Sequence, residues 1–162
     1  TGHFLHDKEM HLRTIENGKP GWNVITPFET NKGFVLVNRG FVPLAMKDSS
    51  KRAAGLVPGE ASVTGLVRVP AAERGAFLPE NRPATNEWYW IDLPAMRKET
   101  AIAGNFLPFV VAAEPVAGVV PPLGGATLLE LPNRHLEYAL TWYALAATLL
   151  IVYATYMVNQ LK

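Results

Sequence analysis

The hydrophobic pattern changes character near residue 135. Upstream, apolar runs are short and interrupted by Gly, Pro and polar turns. Residues 22–28 (WNVITPF) carry β-branched positions, 29–33 (ETNKG) supply turn chemistry and 34–37 (FVLV) resume, which predicts a β-hairpin. Residues 62–69 (SVTGLVRV) predict a third strand, with Gly65 at a bulge or sharp bend. Residues 88–91 (WYWI), 109–113 (FVVAA) and 126–131 (ATLLEL) complete a set of about six strands. One helix is expected here, from Pro94 to about Ala103, with Pro94 in its first turn and Gly104 as its stop. Strands this short, joined by turns, imply an antiparallel sheet that curls to bury its apolar face. The fold class expected is therefore α+β, mainly antiparallel β: a small barrel-like domain with one helix over residues 1–133. Downstream, the twenty residues 139–158 contain no charged residue, His, Pro, Gly or Asn. At the helical rise they span roughly 30 Å, the thickness of a bilayer hydrocarbon core, which predicts a transmembrane helix over residues 134–160.

Composition narrows the function classes. The chain of 162 residues has 15 basic and 14 acidic side chains; setting aside Arg134, Lys162 and Glu137 leaves 13 of each in residues 1–133. With no basic stripe to displace counterions, nucleic acid is not an expected partner. There is no cysteine, which excludes disulfides, thiolate metal sites and cysteine nucleophiles. No Walker loop, dinucleotide fingerprint, HExxH or GxSxG motif is present, so the expectation is a protein that is not an enzyme. Arg134 before the apolar span and Lys162 after it leave its orientation weakly specified.

Several residues could nevertheless carry chemistry. His3, His6 and His11 crowd the start in HFLHDKEMH with Met10 among them. Imidazole and thioether donors suit copper; a solvated extended segment is the other reading. At the start of the apolar span, His135, Tyr138 and Trp142 stand at i, i+3 and i+7, one helical face. That face reads as an imidazole ligand for the iron of a lipophilic porphyrin, with the rings packed on the macrocycle. Spacing alone favours the other reading, an interfacial aromatic belt capped by the histidine. Ala144, Thr148 and Thr155 form a stripe of small residues suited to a partner helix. In VNRGFVP, Gly40 suits a positive-φ turn or a close backbone approach, and Arg39 suits a bidentate carboxylate. Asp92, Glu80 and a porphyrin propionate are the candidate partners. Alternation along WYWI would place Trp88 and Trp90 on one core face, and Pro79, Asn81 and Pro83 suggest a rigid turn before it. Residues 47–52 (KDSSKR) and 116–125 (VAGVVPPLGG) read as mobile loops.

The blocks GWNVITPF, FVLVNRGFVP, FLPENRPATNEWYWIDLPAM and NRHLEYALTWYALAAT, at residues 21–28, 34–43, 77–96 and 133–148, resemble the surfeit-locus protein 1 family of cytochrome c oxidase assembly factors. The resemblance implies a membrane hairpin, with a first span expected ahead of Thr1 and a second at the C-terminus. It places the domain between them in the periplasm of a bacterium, at the cytoplasmic (inner) membrane, or in the mitochondrial intermembrane space. It implies help in maturing oxidase subunit I, with transiently held haem a as cofactor and with other assembly factors and haem a synthesis enzymes as partners. His135 occupies the position of the family's proposed haem ligand, so the resemblance makes it the metal ligand, with Tyr138, Trp142 and Arg39 as the further cofactor-binding candidates.

Overall fold

The two longest β-rich stretches upstream of residue 135 form the centre of one sheet. The structure, a computed structural model, describes residues 1–115, 121–125 and 135–161. The strand expected at 126–131, the 116–120 half of one expected loop, Arg134 and Lys162 lie outside the described residues. In chain order the strands are β1 (Gly2–Phe4), β2 (Met10–Glu16), β3 (Lys19–Thr30), β4 (Gly33–Pro43), β5 (Glu60–Ala61), β6 (Gly65–Arg68) and β7 (Phe106–Ala113). They hydrogen-bond in the order β5-β1-β3-β4-β7-β6, with β2 sharing an edge of β3 with β1. The result is a mixed α+β fold with a curled, mostly antiparallel sheet; among the described strands β4 and β7 are the pair that runs parallel.

The expected hairpin is β3–β4, longer than its apolar runs because the polar turn residues join the ladder down to Thr30 opposite Gly33. Both faces of β4 are covered: Val35, Leu36 and Val37 are 5, 1 and 1% exposed. Leu36 faces a core of Met10, Ile25, Trp88, Met96, Phe106 and Val110, while Val35 and Val37 pack with Phe28 on the other face. A side chain buried to this degree contributes about 1.5–3 kcal/mol relative to exposure. The first of these cores is closed by α1 (Leu93–Thr100). Asp92 caps that helix, accepting from Ala95 N at 3.0 Å, and the helix stops at Ala101 in the left-handed conformation rather than at Gly104.

Several expectations are corrected. The N-terminal segment is not a solvated arm: Asn17 and Gly18, at φ 50° and 75°, turn β2 onto β3, and the pattern of β2 is masked because a polar residue, His11, is among its buried positions. WYWI is not a strand. Trp88 alone pairs with β2, in a single parallel bridge at Leu12 where its N–H donates to His11 O (2.9 Å) and its carbonyl accepts from Arg13 N (2.6 Å); Trp88 is fully buried and Trp90 half-buried, and the Tyr89 and Trp90 N–H groups go to a side chain instead of a ladder. Asn81 Oδ1 accepts from Tyr89 N at 2.8 Å, and Asn86, at φ 50°, takes His11 N (3.2 Å) and gives to Glu9 O (2.9 Å). KDSSKR is not a free loop either: Ser49–Gly55 forms a 3-10 helix capped by Asp48, and Arg52 is buried. Gly65 lies in β6 in unbroken register with β7, and a Cβ there would strike Ala112 O, so it serves close approach and not a bulge.

The chain divides into two compact units, Thr1–Thr127 and Leu128–Lys162. The second contains α2 (His135–Gln160), 26 residues long and apolar enough to cross a membrane, with no buried side chain.

Candidate functional site

In α2 the three candidates stand as the helical spacing requires. His135 opens the helix, and Tyr138 and Trp142, 64 and 71% exposed, follow on the same face. The hydroxyls of Thr141, Thr148 and Thr155 turn back onto the helix, donating to Tyr138 O (2.7 Å), Ala144 O (2.9 Å) and Val152 O (2.8 Å). The three threonine hydroxyls of the apolar stretch are thereby satisfied internally, as hydrocarbon surroundings demand. The face offers one imidazole donor and two aromatic rings. That donor set fits one axial position of a haem iron, with the rings beside the macrocycle.

Arg39 belongs to the other unit, on β4. It is 9% exposed, and its partners are neutral: Nη2 donates to Gly55 O, Nη1 lies 3.3 Å from His6 Nδ1, and the guanidinium carbon sits 4.8 Å from the centre of the Phe4 ring. Neither acid expected to pair with it does so. Asp92 is occupied capping α1, and Glu80 is exposed. Burial pushes the pKa of Arg39 down to about 10, so it stays charged at neutral pH. His6, whose ring also meets Val57 O at 3.0 Å, has its pKa lowered chiefly by burial. Gly40, at φ +111°, lets the chain at Leu123 come against β4, where Phe41 N donates to Leu123 O at 2.9 Å and Leu123 N to Phe41 O at 3.0 Å. Both readings of that glycine, positive φ and close approach, hold together.

Beside these residues lies a buried charge cluster that composition gave no reason to expect. Arg52 Nη2 donates to Glu9 Oε1, the two side chains being 1 and 8% exposed, and His11 Nε2 lies 3.3 Å from the same oxygen, off the hydrogen-bond line. Burial works to raise the carboxyl pKa of Glu9, but His11 and Arg52 outweigh it and the net shift is downward. The partners are 43 residues apart in sequence, and no local spacing signals such a pair. The cluster also disperses the copper candidates. His3 is exposed, His6 turns to Arg39, Met10 enters the apolar core, and His11 sits edge-on to Trp22. Among the described residues no group of three His, Asp or Glu side chains could hold a metal ion.

Comparison with known proteins assigns this arrangement a lineage. The SURF1 family model matches residues 1–147. A SURF1-like protein of Monosiga brevicollis is 38% identical over 167 residues, covering 94% of this chain and 62% of the relative. Surfeit locus protein 1 of Mus musculus is 37% identical over 163 residues, covering 90% of this chain and 52% of its own. A SURF1-like protein of Rickettsia bellii (strain RML369-C) is 32% identical over 162 residues, covering 96% and 66%. The chain thus spans between 52 and 66% of the length of these relatives.

Proposed function

The chain belongs to the SURF1 family, and on that premise we propose that it is a membrane-anchored, non-catalytic factor for the assembly of cytochrome c oxidase. It acts in the maturation of subunit I, holding haem a transiently on the first turns of α2. The observation that carries this reading is the common exposed face of His135, Tyr138 and Trp142 at the start of a helix of membrane length. There an imidazole can ligate iron while the rings cover the porphyrin and the polar start of the helix meets the headgroup region. Bound haem would supply the iron centre and its redox chemistry to the oxidase; the role of these side chains is to bind and orient. The β-rich domain then lies on the outer side of the membrane, in a bacterial periplasm or the mitochondrial intermembrane space, a range of settings consistent with relatives in Rickettsia and in animals.

Purification from cells that make haem a tests the assignment. The wild-type protein should carry a haem absorption band that His135→Ala loses or shifts. Unchanged haem content and spectrum in that variant would overturn it.

A second reading rests on the other side-chain pattern of α2. Ala144, Thr148 and Thr155, with the threonine hydroxyls bonded inward, offer a smooth surface for a partner helix, which suits a scaffold for subunit I that handles no cofactor. Co-purification with subunit I that persists in cells unable to make haem a favours the scaffold; loss of the complex in those cells favours haem handling.

A further inference from the structure

We propose that the cavity beside Arg39 in the β-rich domain binds a small amphipathic carboxylate, with the guanidinium as its counter-ion and the apolar walls as the seat of its body. Its lining residues all belong to the unit Thr1–Thr127, and it stands or falls without His135.

The first support is the charge state of Arg39. Among the described residues no carboxylate lies within ion-pair distance of this buried side chain, whose contacts are a carbonyl, an imidazole and a phenyl face. A cation taken out of water ordinarily keeps an anionic partner, because burial removes hydration that neutral acceptors replace only in part. The acid that acts on it through space, Glu9, is already bound by Arg52. Arg52 repels Arg39 and offsets part of the attraction of Glu9, so the guanidinium keeps no dedicated counter-ion of its own.

The second support is the space that Arg39 borders. It lines a cavity of about 320 Å³ whose walls include Phe4, Val57, Ala61, Val63, Pro122 and Leu123. That volume lies at the lower end of the range for small-molecule sites, and an apolar lining with one convergent charge is their usual make-up. Among the described residues one other charged side chain borders it, Glu114, an exposed acid whose backbone N–H is fixed to Thr64 O at 2.9 Å. The two charges orient a ligand: its carboxylate goes to Arg39 and away from Glu114. His6, bonded through its ring to Val57 O, contacts Nη1 of the guanidinium, and with Gly55 O on Nη2 it makes Arg39 a fixed anchor.

A fatty acid and a porphyrin propionate both carry this chemistry, and the test separates them. The full-length protein in a maltoside detergent is titrated with dodecanoate labelled with ¹³C at the carboxyl carbon. In parallel, the His135→Ala variant is titrated with haem and followed by its absorption band. Binding of dodecanoate should give a carboxyl resonance resolved from the detergent pool; binding of haem should give a saturable band shift that does not need His135. In either arm Arg39→Gln should weaken binding about ten- to a hundredfold, the scale of a lost charge-assisted pair. Thr64→Trp, which fills the rim from an exposed position, should block binding while leaving Arg39 in place, and it decides the matter should Arg39→Gln fail to fold. Saturable binding of either probe that these substitutions abolish supports the site and names the source of the carboxylate. No binding of either probe, or binding unchanged by both substitutions, overturns it.

Discussion

Two stretches of nearly the same apolar composition behave in opposite ways. In β4, Val35, Leu36 and Val37 are almost wholly enclosed; in α2, Leu149, Leu150 and Ile151 are 70, 68 and 65% exposed. The difference lies in what each must satisfy. A strand leaves its backbone groups to its neighbours, so β4 exists only between β3 and β7, and its side chains are covered as a consequence. A helix satisfies its own backbone and needs no protein neighbour to cover its side chains when lipid is the solvent. Exposure of large apolar residues in α2 therefore marks the medium the helix is built for, while the same exposure in β4 would mark a broken core.

The comparison can be broken at several points. The largest effect is expected for Glu9→Gln, which leaves Arg52 buried without its anion; denaturation of the full chain should show a loss of about 3–5 kcal/mol. This substitution also has a pH signature. Because the folded-state pKa of Glu9 is held below its ordinary 4.5, its ionised form adds stability above that pH and loses it as pH falls through the folded value. The gap between wild type and Glu9→Gln should thus narrow on acidification, and a gap that is flat with pH would show that the charge is not what stabilises. Next, Leu36→Ala should cost about 2–5 kcal/mol in the same measurement, through lost burial and a cavity between β4 and the core that α1 closes. Asn86→Ala, removing the hydrogen bonds to His11 N and Glu9 O and straining a positive φ, should cost about 1–3 kcal/mol, and Asn86→Gly should recover the conformational part. At the bottom stands Leu149→Ala, the counterpart of Leu36→Ala, which should leave unfolding of the β-rich domain unchanged within about 0.5 kcal/mol. A cost comparable to that of Leu36→Ala would show that α2 is part of the domain's core and would erase the contrast.

What could be read beforehand follows the same division. The helix and the common face of His135, Tyr138 and Trp142 are matters of spacing within a few residues, and a periodicity of 3.6 carries them. The β3–β4 hairpin was likewise legible, since ETNKG sits between two β-branched runs, and so was α1 from its proline start. The strand β2 escaped although Asn17–Gly18 announces a tight turn, because His11 is buried and Ile15 is 72% exposed, reversing the expected code at both positions. The WYWI stretch misled for the opposite reason: its β-propensity is high, but after Trp88 bridges β2 the next two N–H groups go to the Asn81 side chain and the ladder ends. Arg39 was legible as a charge seeking a partner, yet its surroundings come from residues 4, 6 and 55, brought together only by the sheet. No spacing rule reaches that far.

The parallel pairing of β4 with β7 bears on how the domain is made. Its two strands lie on either side of the whole 44–105 segment, so the β3–β4 hairpin is synthesised, and free to form, before its second neighbour exists. During that interval the outer edge of β4 presents unpaired amides and carbonyls beside Leu36 and Val37, the kind of edge that recruits stray strands. Completion of residues 106–113 closes it, which makes this late strand the step that converts a vulnerable hairpin into a protected sheet.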